Sequence, residues 1–226
     1  MSLADVKARI EAVEAQTLAD AVTTSGDPIR GWWTCVGGSG QVHVDRQAGA
    51  DIDAGLRRAN TLADEGVAVV VVHHTHAVSD RTRALVGLLC SMDASRVTPR
   101  SESDLEWMRR CAVIRDAQAE LRDQLGRAID IVDAEVAASA ALLLGLAARK
   151  TPVLLIGAHA HAAAVLAQRQ SVAAATWWRS GFTEQDPLIA RAQDRLQLEP
   201  WVTIHTHLSD EIADDVLMSV IRDLQR

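Results

Sequence analysis

Seven of the eight histidines in this chain fall in three short clusters, His73-His74-Thr75-His76, His159-Ala160-His161 and His205-Thr206-His207. A neutral imidazole is the commonest protein ligand for transition metals, and several such nitrogens converging with a carboxylate form an open catalytic site. His74, His76, His159, His161, His205 and His207 are therefore candidate ligands for a divalent metal: Zn, Fe, Ni or Co. Each cluster contains a His-x-His pair, and in extended chain residues i and i+2 point to the same side. Asp80, Asp210 and Glu211 are the nearest carboxylates in sequence, suited to ligation, general-base work or orientation of a ligand. With a vacant position, a bound metal lowers the pKa of water or polarises a carbonyl or phosphoryl group, the chemistry of a hydrolase or lyase. A metal-free reading uses His73, Asp80 and Arg81 as phosphate and substrate contacts.

Each cluster follows an apolar run: Val67 to Val72, Pro152 to Ile156 and Trp201 to Ile204. Short, β-branched and nearly free of polar residues, these runs read as strands buried on both faces of a parallel sheet. Parallel strands end along one edge, where open α/β folds bind their ligands. Between them the spacing predicts helices over 3–22, 48–65, 80–91, 104–125, 131–149, 161–170, 186–196 and 210–224, with Ser79 or Asp80 capping the third and Gly66 stopping the second. Residues 173–178 read as a further strand, and His43 in Val42-His43-Val44 as a strand residue. Gly37-Gly38-Ser39-Gly40 reads as a turn, because no clear strand-to-helix context makes it a phosphate loop. The expected architecture is one α/β domain over 1–226 with an N-terminal helix and a doubly wound, mostly parallel sheet flanked by helices.

Composition narrows the partners. A formal charge of -7 and the absence of any dense Lys/Arg block argue against nucleic acid and favour a small-molecule substrate. Cys35, Cys90 and Cys111 are odd in number and widely spaced, which suits a reducing cytoplasm better than a disulfide framework. Met1 to Gln16 lacks the pattern of a signal peptide, and Val136 to Ala148 is shorter than the ~20 residues of a membrane span, so no membrane partner is expected. Trp32-Trp33, Trp107, Trp177-Trp178 and Trp201 read as core or interface residues, and the paired tryptophans suggest a homo-oligomer.

The run Gly145-Leu146-Ala147-Ala148-Arg149-Lys150-Thr151-Pro152-Val153-Leu154-Leu155-Ile156-Gly157, followed later by Leu198-Glu199-Pro200, resembles the nicotinate-nucleotide:dimethylbenzimidazole phosphoribosyltransferases. That family shows G-A-A-x-x-x-x-P-V-x-L-D-G-F and then L-x-x-E-P, and Glu65-Gly66-Val67 resembles the approach to its G-E-M-G-I-G-N-T-T-P-A-A signature. The resemblance implies the fold of that family's large domain and a role in activating the lower-ligand base of cobalamin. His73-His74-Thr75-His76 stands where the family has G-E-M-G, and Ser79-Asp80-Arg81-Thr82 where it has N-T-T-P. The family's catalytic glutamate falls on Asp210, beside Glu211, while the glycines around it are lost. The family's N-terminal P-G-S-L-G and D-H-G-V stretches have no evident counterpart.

These readings combine into a divergent phosphoribosyltransferase relative whose cleft is rebuilt as a His-rich metal site, with Asp210 or Glu211 as acid and base. Metal-free phosphoribosyl transfer is the first alternative. A noncatalytic metal-binding or partner protein is the second.

Overall fold

The computed structural model describes residues 40–74, 77–100, 103–183 and 186–203, with Ala4, Asp215, Val216 and Ser219 besides. The expected helices over 3–22 and 210–224 lie almost entirely outside the described residues.

Among the described residues, five strands form one sheet: β1 (Val42–Asp45), β2 (Val69–His73), β3 (Val153–Ile156), β4 (Trp178–Thr183) and β5 (Pro200–Thr203). Every pairing is parallel, with Asp45 opposite Val72 and His73 opposite Ile156, so the C-terminal ends of β1, β2 and β3 lie side by side. β2 and β3 are buried at every position, as their unbroken apolar runs require.

The described helices are α1 (Ile52–Asp64), α2 (Asp80–Leu89), α3 (Ala94–Val97), α4 (Asp104–Leu121), α5 (Ala128–Ile131), α6 (Ala134–Ala148), α7 (Gly157–Gln170) and α8 (Pro187–Leu196). The expected parallel α/β sheet flanked by helices is thus present. Among the described strands its order follows chain order, so the crossovers all advance in one direction rather than reversing midway as in a doubly wound sheet. α1, α6, α7 and α8 pack against one another in that order as one layer.

Local chemistry sets the ends. The Asp51 side chain accepts from the Ala54 amide at the start of α1, and Ser79 accepts from the Thr82 amide at the start of α2. Gly66, at φ 72°, provides the left-handed turn before β2. The 173–178 segment differs from the strand expected there: Val172–Trp177 is a 3₁₀ turn and β4 begins only at Trp178.

α6 is the innermost helix, with every residue from Val136 to Ala148 buried. A Cβ at Gly55 of α1 would stand 2.0 Å from the Ala138 carbonyl oxygen, so the two helices approach this closely only because that position is glycine. This close approach, with the alanines around it, holds the middle of α6 against α1. Ser139, the one hydroxyl in the 136–148 stretch, is thereby sealed from solvent. One continuous apolar cluster runs through the strands and these helices, and it includes Trp177, Trp178 and Trp201.

Candidate functional site

The C-terminal edge of β1–β3 gathers a buried polar cluster. Asp45 ends β1, His74 directly follows β2, His159 lies in the first turn of α7 after β3, and Ser139 reaches in from α6. Ser139 Oγ lies 2.9 Å from His74 Nδ1 and 3.0 Å from His159 Nε2. The two rings meet edge to face with centroids 5.1 Å apart. On its other side, His74 Nε2 stands 3.8 Å from Asp45 Oδ1, too far for a hydrogen bond. His74 Nε2 has no hydrogen-bond partner in this cluster, although the His74 side chain is fully buried.

Arg58 of α1 completes the cluster. Its Nε donates to Asp45 Oδ2 at 3.1 Å, and a terminal nitrogen lies 2.8 Å from His43 Nε2. A guanidinium only donates, so His43 accepts there and carries any single proton on Nδ1. His43 is a β1 residue as expected, and its ring also orients Arg58. Burial pushes the Asp45 carboxyl up, but the contacts with His74 and Arg58 outweigh it and hold the group below the usual carboxylate range. Asp45 is therefore a buried anion at neutral pH.

His161 does not join. The sequence expectation treats His159-Ala160-His161 as extended, with both rings on one side. Gly157, at φ 80°, instead turns the chain from β3 straight into α7. Two residues on a helix are about 200° apart in direction, so the rings part company. His161 Nε2 lies 3.0 Å from Ser180 Oγ of β4 and Nδ1 lies 2.8 Å from the Gly157 carbonyl, while Gln193 of α8 donates to the same Ser180 oxygen at 2.7 Å. Burial lowers the His161 pKa to about 4, despite the opposing pull of the Gly157 carbonyl and the Asp186 charge.

His73, the last residue of β2, is buried, and its ring comes within 4.0 Å of where a Cβ on Gly157 would be. Asp80 and Arg81 open α2 and turn toward α4: Asp80 accepts from Arg110 at 2.6 Å, and Arg81 faces Glu120 at 3.9 Å. Neither is bonded to the histidine cluster. The loop after β2 is held instead by Asp133, at the start of α6, which accepts from Ser79 Oγ at 2.5 Å and Thr82 Oγ1 at 2.7 Å. Thus the Ser79-Asp80-Arg81-Thr82 segment keeps its hydroxyls for anchoring. His76, His205, His207, Asp210 and Glu211 lie outside the described residues.

β2 and β3 are neighbours, but β4 stands between β3 and β5, so the strand preceding His205 is two places from the one preceding His159. Among the described residues, no group of three or more His, Cys, Asp or Glu side chains is arranged to hold a metal ion. The hydroxyl of Ser139 lies between His74 and His159, within hydrogen-bond distance of both rings.

Sequence reasoning missed Asp45, Arg58 and Ser139. A lone serine in an otherwise apolar helix was the available signal for Ser139, since a buried hydroxyl needs a partner. Asp45 closes a strand at the same edge as the histidines, a signal hidden by the shortness of β1.

Comparison with known proteins identifies the framework. The family model DBI_PRT, Phosphoribosyltransferase, matches residues 41–221. The nicotinate-nucleotide--dimethylbenzimidazole phosphoribosyltransferase of Streptomyces avermitilis is 39% identical over 177 residues, covering 72% of this chain and 47% of that protein. Its counterpart in Streptomyces coelicolor is 36% identical over 180 residues, covering 74% and 50%. The chain spans about half the length of these relatives. The crystal structure of CobT from Thermus thermophilus superposes with a TM-score of 0.64 at 21% identity, over 77% of this chain and 54% of the other, which shows a shared fold. With the parallel sheet and the sequence match covering the same strands and helices, the chain belongs to the DBI_PRT phosphoribosyltransferase family.

Proposed function

We propose that the C-terminal edge of β1–β3 is a phosphoribosyl-transfer site acting on a nicotinate nucleotide and a heteroaromatic base, with His74 as its proton-handling group. The observation that carries this reading is the convergence of Asp45, His74, Ser139 and His159 at three adjacent strand ends. In such a transfer, a ring nitrogen of the acceptor forms a bond to C1′ of the ribose while the C1′–N bond to nicotinate breaks. The electron pair leaves on the pyridine nitrogen, and the acceptor's N–H proton must go to a base. An imidazole beside a buried carboxylate is suited to take that proton and to be stabilised once charged. Asp210 and Glu211 remain candidates for the same task on the strength of the family resemblance.

The test is turnover. Purified chain is incubated with nicotinate mononucleotide and dimethylbenzimidazole, and release of nicotinate is followed by chromatography. The reading expects product from the wild type and a loss of about a hundredfold or more in His74→Ala. Equal rates in both would remove His74 from the chemistry.

A second reading keeps the metal, favoured by one observation: the buried Nε2 of His74 has no hydrogen-bond partner in the cluster and faces a carboxylate. Completing such a site requires ligands beyond the described residues, from His76, His205 or His207. Elemental analysis of protein purified without tag or chelator separates the readings. About one metal per chain, lost in His74→Ala, would support the second and direct assays to metal-assisted chemistry.

A further inference from the structure

We infer that Ser139 is a positioning residue that fixes the tautomers of both His74 and His159 through one hydroxyl, placing the proton on Nδ1 of His74 and on Nε2 of His159. This rests on the reading of the β1–β3 edge as the functional site, and it holds whether a proton or a metal is taken up there.

The count of protons carries it. Ser139 Oγ has three partners: the Glu135 carbonyl at 2.8 Å, His74 Nδ1 at 2.9 Å and His159 Nε2 at 3.0 Å. A hydroxyl has one proton to give and two lone pairs to receive. The carbonyl can only accept, so the hydroxyl proton goes to Glu135, one helical turn back, and both ring nitrogens must donate to Ser139. All three contacts are then satisfied, as a fully buried polar group requires.

The consequence falls on His74. With Nδ1 holding a proton against Ser139, Nε2 becomes the ring atom that faces Asp45 and exchanges protons or binds an electrophile. Which imidazole nitrogen is available is set by the hydrogen bond that the other one makes. Ser139 is therefore neither base nor nucleophile here: its proton is committed to the helix backbone, and it acts through the imidazoles. The helix is well placed for the task, because α6 is buried throughout from Val136 to Ala148 and cannot rotate Ser139 away without opening the core.

The experiment compares the full chain with Ser139→Ala by two-bond nitrogen–proton NMR of uniformly ¹⁵N-labelled imidazoles. The His74 and His159 signals are assigned through His74→Gln and His159→Gln. Alanine is a strong helix former, and a thermal melt confirms that the variant folds. The wild type is expected to show a protonated Nδ1 on His74 and a protonated Nε2 on His159, each in one form. In Ser139→Ala both rings are expected to change tautomer or become mixtures, and kcat is expected to fall roughly tenfold or more with KM within twofold. Unchanged tautomers in a folded Ser139→Ala, or a wild-type His74 protonated on Nε2 alone, would overturn the assignment. The NMR result is read without substrate, so failure of the phosphoribosyl-transfer reading would show in turnover while leaving the tautomers to be judged separately.

Discussion

His159 and His161 are two residues apart on one helix, and each ring meets a serine hydroxyl at 3.0 Å, yet their surroundings differ in kind. Around His161 both ring nitrogens are satisfied: Nδ1–H donates to the Gly157 carbonyl, Ser180 donates to Nε2, and Gln193 donates to Ser180. Each of these partners is uncharged. The His74–His159 side joins two imidazoles to a buried carboxylate and a guanidinium, and leaves Nε2 of His74 without a hydrogen-bond partner there. A satisfied polar network ties α7 and α8 to β4. An incompletely satisfied one, beside a fixed negative charge and at the ends of parallel strands, has capacity left for a ligand.

The contrast can be broken first by acid. His161 is fully buried and its pKa is lowered by burial from 6.5 to about 4, so the unfolded chain binds a proton more readily than the folded one. Its contribution is intact above pH 6.5 and is lost as pH falls from 6.5 toward 4, amounting to about 3 kcal/mol once both states are protonated. Urea denaturation across this range should show the loss, and His161→Gln should flatten it. A variant with the same pH slope would place the titrating group elsewhere.

Asp45→Ala sharpens the other side. It leaves His74 and Arg58 without their shared carboxylate, and because Arg58 is partly exposed the cost should be about 2–3 kcal/mol, below that of breaking a wholly buried pair. Denaturant midpoints measure it. Unlike His161→Gln, this change should also abolish any function of the edge.

Ser180→Ala removes the hydroxyl that both His161 and Gln193 use, and should destabilise by roughly 2 kcal/mol while turnover remains within twofold. A large fall in turnover would make the closed network part of the site. The smallest effect belongs to Gln193→Met, which deletes one donor and keeps the volume, at about 1 kcal/mol or less in thermal or urea unfolding.

Much of this was legible from the chain. The Val69–His73 and Val153–Ile156 strands follow from their apolar runs, and the placement of His73 and His74 at a strand end follows from them. Gly66 and Ser79 mark their helix boundaries as their chemistry suggests. The pairing of His159 with His161 failed because one glycine turns strand into helix without an intervening loop, changing the side-chain period from two to 3.6. The one-way strand order was hidden because periodicity carries no information about which strands become neighbours. Ser139 and Asp45 were overlooked for a related reason. Each becomes meaningful only when α6 or β1 is brought against the edge, through contacts 65 and 29 positions away in sequence from His74.

The most direct test of the edge as a nucleotide site is calorimetric binding of nicotinate mononucleotide to the full chain, to His74→Ala and to His161→Gln. The account predicts one nucleotide per wild-type chain, at least tenfold weaker binding in His74→Ala and unchanged affinity in His161→Gln. Binding that His74→Ala leaves intact, or that both variants weaken equally, would contradict the distinction between the two sides of α7.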